Sequence, residues 1–414
     1  MTDTTGASRA WGTVAYHTHD PNVPFVLNDI RRFAERHDRV ILFIERPVAK
    51  DVQLASNVEV VLGVLDWKRF HPLSLLMRHL PSVIGIYLME CFRTRRPLPP
   101  VHAVRKLLSN VFRAEQVMVR LKQVGAADAW HYSFWFYDCI FLAWLSSKGR
   151  TRKTVARTHG GDLFEERGSL DTKALFRHFQ FRQLDRVYSV SEAGRLYLNK
   201  RYPAYADKIR TAYLGSTPPR SIPDFQATDP LVVVSCARVR NVKRIHLIGE
   251  ALCHVDVPVR WVHFGQADAN STDPTVPLYY AALEKLARKP NVEAVSMGAV
   301  PNTAVLEWYA TNPVHLFISL SENEGIPVSM MEAIGSGIPI LSTDVGGCSE
   351  IVNDRTGMLI PKDTSAEQVA RSIEQFASSP MNSAAYRSGV RSFWAEHFDM
   401  ERNYDRFFKE IHGR

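Results

Sequence analysis

Along most of this chain, short apolar runs alternate with longer segments whose apolar positions fall at helical spacing. Trp11 to His17, Arg39 to Ile44 and Val58 to Leu62 have the length and bulk of buried strands, and Pro24 to Arg36 fits a helix opened by proline. Thr154 to Ala156, Leu184 to Ser191 and Ile209 to Ala212 extend the series, with Ser191 placed to cap a following helix. From Thr217 the sequence TPPRSIPDFQATDP is rich in proline and polar residues and has no helical period, which marks a boundary. Beyond it, strands are expected at Leu231 to Ala237, Val259 to Gly265, Val292 to Met297, His315 to Ser321 and Pro339 to Ser342. Helices are expected at Arg244 to Cys253, Leu278 to Arg288, Asn302 to Tyr309, Pro327 to Ser336, Ser365 to Phe376, Tyr386 to Phe398 and Met400 to Ile411. Strand and helix in alternation predict an α/β chain with two doubly wound parallel sheets. The domains are residues 1–217 and 229–395, joined by a linker at 218–228.

The chemistry concentrates between Val314 and Val352. The loop Ser321 to Gly325 carries Glu322, Glu324 and a glycine, and leads into a helix start at Pro327, where backbone N–H groups suit an anion. Within Val328 to Ile334 the one charge is Glu332, flanked by Met330, Met331, Ala333 and Ile334. A carboxylate so enclosed needs donors, and two hydroxyls on adjacent sugar carbons would match its two oxygens. The plainer reading makes Glu324 an exposed loop acid and Glu332 a half-exposed helix residue.

Glu324 and Glu332, followed by Ala333, Gly337, Pro339, Asp344, Gly346, Gly347, Glu350 and Thr356 to Ile360, resemble the signature of retaining nucleotide-sugar glycosyltransferases of family four. The resemblance implies the GT-B fold, in which two Rossmann-like domains face a cleft and a C-terminal helix, here 396–414, returns to the first domain. It implies that Arg238 and Lys243 grip the donor diphosphate, helped by N–H groups around Gly325 and Ile326. Glu332 would hold the ribose and Glu324 the sugar hydroxyls, with Gly265 near the nucleotide and Val300 in the turn that contacts the base. His159, in the loop His159-Gly160-Gly161-Asp162, would orient the transferred sugar as a catalytic residue with Glu324, Arg238 and Lys243, and Asp162 would lie on the acceptor side. For Asp162 a capping role in a turn stays open. Arg240 and Arg244 fall outside the match and are expected to face solvent. The implied reaction moves a hexose from a nucleoside diphosphate sugar to a glycan or lipid-linked glycan in cell-surface polysaccharide assembly, without a metal or other cofactor. The alternatives are a non-hydrolysing GT-B epimerase and a silent GT-B subunit of a membrane glycan-assembly complex.

Composition changes this picture little. The 414 residues are 45% hydrophobic and 23% charged, enough for two cores. The five cysteines form no CxxC pair, which fits neither a disulfide framework nor a zinc site, and a cytoplasmic location is expected. His17 and His19 form an HxH pair without a third ligand in view. Trp130 to Trp144 is crowded with aromatics, most of them expected in the core.

Charge matters more. The net charge is +8, and bases dominate from Arg93 to Lys122, where the sole acid is Glu115. Val101, Val104, Leu108, Val111, Phe112, Met118 and Leu121 make an apolar helical stripe opposite those bases. Just before lies LSLLMRHLPSVIGIYLMEC, apolar but broken by Arg78, His79, Pro81 and Glu90, and so not expected to span a bilayer. Residues 71–122 are thus expected to meet an anionic membrane surface, at the inner face of the cytoplasmic membrane. No nucleic-acid motif accompanies the bases, and nucleic acid is not an expected partner.

Overall fold

The computed structural model describes residues 11–413 other than 66, 96–99, 166–174, 220, 226 and 228. The chain divides into two compact units, Met1–Ala212 and Tyr213–Arg414.

The first unit is a seven-stranded parallel sheet in the order β3-β2-β1-β4-β5-β6-β7. Its strands are β1 Thr13–His17, β2 Arg39–Ile44, β3 Val58–Leu62, β4 Trp130–Ser133, β5 Thr154–Thr158, β6 Arg186–Ser189 and β7 Ile209–Thr211. Helices α1 Pro24–Arg36, α2 Pro72–Thr94, α3 Pro100–Gln123, α4 Ile140–Ser147, α5 Gly160–Leu163, α6 Arg177–Gln183 and α7 Glu192–Arg201 connect them. Pro24 opens α1, and Ser191 caps α7 by accepting from the Gly194 N–H at 3.1 Å.

β5 runs two residues past the expected end at Ala156, through Arg157 and Thr158. A charge inside a buried strand needs a counter-charge, and α1 supplies it: Arg157 Nη1 donates to Asp29 Oδ1 at 2.6 Å, with both side chains fully buried. Tyr16 donates to the other oxygen of Asp29 at 2.7 Å. The expected apolar stripe on α3 is present, but Leu108, Val111, Phe112 and Leu121 are buried in the core with Phe136, Phe141 and Trp144. Of the aromatic run, Trp135 and Tyr137 are partly exposed, while Trp130, Tyr132, Phe134, Phe136, Phe141 and Trp144 are buried.

The second unit is a six-stranded parallel sheet in the order β10-β9-β8-β11-β12-β13. Its strands are β8 Leu231–Cys236, β9 Val259–Phe264, β10 Val292–Gly298, β11 Leu316–Ser319, β12 Ile340–Thr343 and β13 Gly357–Ile360. They are joined by α8 Ile245–Leu252, α9 Thr275–Leu286, α10 Asn302–Thr311, α11 Val328–Gly335 and α12 Cys348–Ile351, and followed by α13 Ala366–Ala377, α14 Ala384–His397 and α15 Met400–His412. Ser365 and Gln368 form a capping box on α13, and Asp399 caps α15. α11 packs on α14, where Gly335 leaves room for the Trp394 indole. That indole in turn donates to Ser216 Oγ at 2.8 Å. In each sheet the strand order reverses direction beside the first strand, between β1 and β4 and between β8 and β11. Ligands of such sheets collect beyond the carboxyl ends of the strands at that reversal.

The buried Asp29 and Arg157 tie α1 to β5, and removing one partner strands the other charge in the core. Asp29→Ala should cost roughly 3–5 kcal/mol of the first unit's stability, measured by denaturant unfolding, with Asp29→Asn costing less because its amide oxygen still accepts.

Candidate functional site

In the second unit, β8 and β11 are neighbours whose connections leave toward opposite sides, which opens a crevice at their carboxyl ends. The loop after β8 carries Arg238 to Arg244, and the loop after β11 carries Leu320 to Pro327. These loops are joined to each other. The Glu322 N–H donates to Val242 O at 2.8 Å, and Lys243 Nζ is in direct contact with Glu324 Oε1. Arg244 Nε donates to Leu320 O at 2.5 Å, and Arg244 Nη1 donates to Lys362 O at 2.9 Å. The expectation that Arg244 faces solvent is therefore corrected. Its guanidinium is half-buried and secures the end of β11, from a left-handed backbone position at φ 47°.

The neighbouring strand exits join the same network. Ala237 N donates to Phe264 O at 3.0 Å, and Gly265 N to Gly298 O at 2.8 Å. Gly265 lies at φ 137°, and a Cβ there would fall 1.9 Å from Ala237 O, so the loops after β8 and β9 meet only because it is glycine. On the other side, Thr343 Oγ1 donates to Ser321 O at 2.6 Å and Gly347 N to Gly325 O at 3.0 Å. Gly346, at φ 56°, lies against the backbone of Glu324, where a Cβ would come within 1.9 Å of the Glu324 carbonyl oxygen.

The two carboxylates occupy different surroundings. Glu324 stands at the loop mouth, its side chain 11% exposed against Lys243. Glu332 projects from α11 and accepts from Asn302 Nδ2 at 3.0 Å, while burial pushes its carboxyl up to about 7. Cys236 and Tyr309 lie near enough to feel its charge; burial first, and Glu332 second, push the Cys236 thiol up to about 12. Asn302 and Tyr309 were legible in sequence only as members of a helix. Asn302 at a helix start carries a general polar signal that names no partner.

Arg238 is the most exposed of the expected phosphate ligands, at 69%, and its Nη1 lies 3.5 Å from Asp268 Oδ1. Arg240 meets the same carboxylate at 2.5 Å, so Asp268, absent from the sequence reading, gathers two of the loop's cations. Gly325 and Ile326 are buried at the entry to α11, and Val300 is partly exposed after β10.

In the first unit, His159 and Asp162 come together at the end of β5. The Asp162 carboxylate accepts from Phe136 N at 2.6 Å, His159 N at 2.5 Å and Thr158 Oγ1 at 2.8 Å. Its oxygens serve the loop itself, and burial raises its pKa despite Arg177 nearby. His159 Nε2 donates to Phe134 O at 3.0 Å, which leaves Nδ1 as the acceptor, and the ring stacks on Phe134 at 4.2 Å. Burial, then the Arg157 charge, hold it well below the usual imidazole range and so neutral. His17 and His19 do not converge. His17 stacks on buried His131 with ring nitrogens 3.1 Å apart, and His19 lies 2.9 Å from Glu45.

Residues 230–379 match the family model described as "Glycosyl transferases group 1". The second unit carries a group 1 glycosyl transferase domain. The whole chain also superposes on the crystal structure of Anabaena Alr3699/HepE in complex with UDP and glucose, covering 98% of this chain and 100% of that one at a TM-score of 0.68 and 15% identity. The fold is GT-B. The lipopolysaccharide core biosynthesis mannosyltransferase LpsB of Rhizobium meliloti is 26% identical over 226 residues, 51% of this chain and 61% of that protein. The putative colanic acid biosynthesis glycosyltransferase WcaL of Escherichia coli is 30% identical over 210 residues, 48% of each. The matches thus span less than two thirds of these relatives.

Gly346 allows the loop after β12 to reach Glu324. Gly346→Ala should displace Glu324 from Lys243 and lower the melting temperature of the second unit by several degrees, on the order of 1–3 kcal/mol. Asn302→Ala removes the donor to the enclosed Glu332 carboxylate and should also lower the melting temperature, at a cost of about 1–3 kcal/mol.

Proposed function

We propose that this protein is a retaining glycosyltransferase that moves a hexose from a nucleoside diphosphate sugar to a glycan or lipid-linked glycan in polysaccharide assembly. The observation that carries the reading is the pair of loops at the β8/β11 reversal. They bring Lys243 against Glu324, and Cys236 at the end of β8 feels the charges of both Lys243 and Glu332 of α11, within a group 1 glycosyl transferase domain. Support also comes from the neighbour solved with UDP and glucose and from relatives named for lipopolysaccharide core and colanic acid biosynthesis.

In this reading the diphosphate enters beside Lys243 and Arg238, with the N–H groups of Gly325 and Ile326 at the entry to α11 facing its oxygens. Arg238 is free to swing from its long contact with Asp268, since an exposed pair at 3.5 Å is weak. As the bond from the sugar to phosphate breaks, negative charge grows on the leaving diphosphate, and Lys243 and Arg238 stabilise it. No metal is assigned a part. Once phosphate draws Lys243 away, Glu324 turns its oxygens to the sugar hydroxyls. Glu332 receives the two ribose hydroxyls, which add to the one donor, Asn302, that its enclosed carboxylate has. Because no side chain is assigned as a nucleophile, the acceptor's proton passes to the departing phosphate on the same face. His159, neutral and held by Phe134 O, has the protonation state required to bond a sugar hydroxyl.

The test is thermal stabilisation by a panel of nucleoside diphosphates and their sugars. One nucleotide family should stabilise the wild type, by about 2.7 kcal/mol at a hundredfold excess over Kd, and Lys243→Ala should lose most of that shift. A panel that leaves the wild type unmoved would exclude the donor site.

A pH signature follows from Glu332. Both carboxyl oxygens are free to accept from the two ribose hydroxyls only in its ionised form, and burial places its pKa near 7. Affinity for the intact nucleotide-sugar should therefore rise about tenfold from pH 6 to pH 8. In Glu332→Gln, titration calorimetry should show weaker binding without that rise. The nucleotide-sugar is the right probe because its bridged diphosphate does not titrate in this range.

A further inference from the structure

Helix α2 has an outward face that the first unit leaves uncovered. Leu73, Met77, Leu80, Ile84, Leu88 and Phe92 follow one another at steps of four, three, four, four and four residues along α2, which kinks at His79 just ahead of Pro81. They are 68%, 68%, 43%, 47%, 58% and 80% exposed, the last being a phenylalanine almost wholly in solvent. The opposite side is anchored. Leu75 and Val83 are buried in the core, and the buried carboxylate of Glu90 accepts from His178 N at 3.0 Å and Phe179 N at 3.1 Å, capping α6. Burial pushes that carboxyl up to about 7.

Charge frames the exposed stripe. Lys68 and Arg69 precede α2, Arg78 lies along it with its side chain 61% exposed, and Arg93 and Arg95 stand exposed beside Phe92. Between Trp67 and Gln123 the only acids are Glu90 and Glu115. Glu90 is buried, and Glu115 is partly buried within 3.2 Å of His79 and 3.5 Å of Arg78, so neither offers an open negative charge.

We propose that the Leu73 to Phe92 face of α2 lies flat in the surface of an anionic lipid bilayer, its apolar side chains among the acyl chains and its flanking bases at the phosphates. Basic rims against anionic headgroups are complementary, whereas a second copy of the same face would bring like charges together. By length and mean hydropathy, Pro72–Thr94 is also capable of crossing a membrane. Crossing would pull Leu75 and Val83 from the core and break the Glu90 cap, so the in-plane orientation is the one compatible with the folded unit. The site is therefore narrower than residues 71–122: apart from Val101, which is 82% exposed, the apolar stripe of α3 lies in or against the core, and α2 provides the lipid contact. This inference stands on α2 alone and does not depend on the proposed sugar transfer.

The test is co-sedimentation of the full chain with vesicles of phosphatidylcholine, with or without about one third phosphatidylglycerol. The wild type should pellet with the anionic vesicles, less so at high salt, and only weakly with the neutral ones. Leu88→Asp with Phe92→Asp should lower the partition at least about tenfold, with an unchanged melting temperature because both side chains are exposed. Met77→Ser with Phe92→Ser, a milder change on the same face, should lower it in the same direction. Failure of the wild type to bind anionic vesicles, or equal binding by these variants, would overturn the proposal. So would a concentration-dependent dimer, dissolved by the same substitutions, in a protein that ignores vesicles.

Discussion

Two loops leaving adjacent parallel strands must hold opposite charges close together before any ligand arrives, and the main chain meets that demand. The Glu322 N–H reaches Val242 O and the Gly347 N–H reaches Gly325 O, while Arg244 closes over the Leu320 carbonyl. With the backbone fixed in this way, Lys243 and Glu324 have little freedom to separate in the empty protein. A diphosphate can then compete for a lysine already in place, and the entropy of ordering the loops is spent in folding rather than in binding. Glu332 answers to a different constraint. Its enclosure raises the cost of its charge, and Asn302 offsets only part of that cost. One carboxylate thus has a cation beside it, while the other is left in need of donors.

The succession of strands and helices was readable because each apolar run has the length of a strand and each intervening segment the spacing of a helix. Where reading stopped short, a contact distant in sequence was responsible. β5 was expected to end at Ala156, since arginine is a poor strand-core residue, yet Asp29 on α1 neutralises Arg157 and the strand continues. Arg244 looked like one more solvated base, and only the fold shows the carbonyls of Leu320 and Lys362 within its reach. His17 was weighed against His19, two positions away, whereas its actual neighbour is His131 in the adjacent strand.

Of the candidate site, the paired glutamates were legible because their spacing belongs to one strand, loop and helix, and Lys243 because it follows the exit of a strand of its own. Asn302 and Asp268 were not, because each comes from a separate connection and carries a common residue type. The long basic and apolar stretch shows the limit of periodicity most plainly. A helical stripe in sequence tells that one face is apolar, and it does not tell whether that face turns inward or outward. On α3 it turns inward, with Val111 and Leu121 in the core; on α2 the outward face keeps Leu73 and Phe92 in solvent.

The ties around the crevice have a consequence for how such a protein diversifies. Several run from backbone to backbone, so they are indifferent to the side chains of Val242 and Glu322 that flank them. The frame persists while those side chains drift, and pocket preferences can be rewritten by substitutions that leave the loops where they are. Gly346 is the counterweight. Its missing side chain is the clearance through which the loop after β12 meets Glu324, as that of Gly265 is for the loops after β8 and β9, so the crevice has wide latitude around it and almost none at these two glycines.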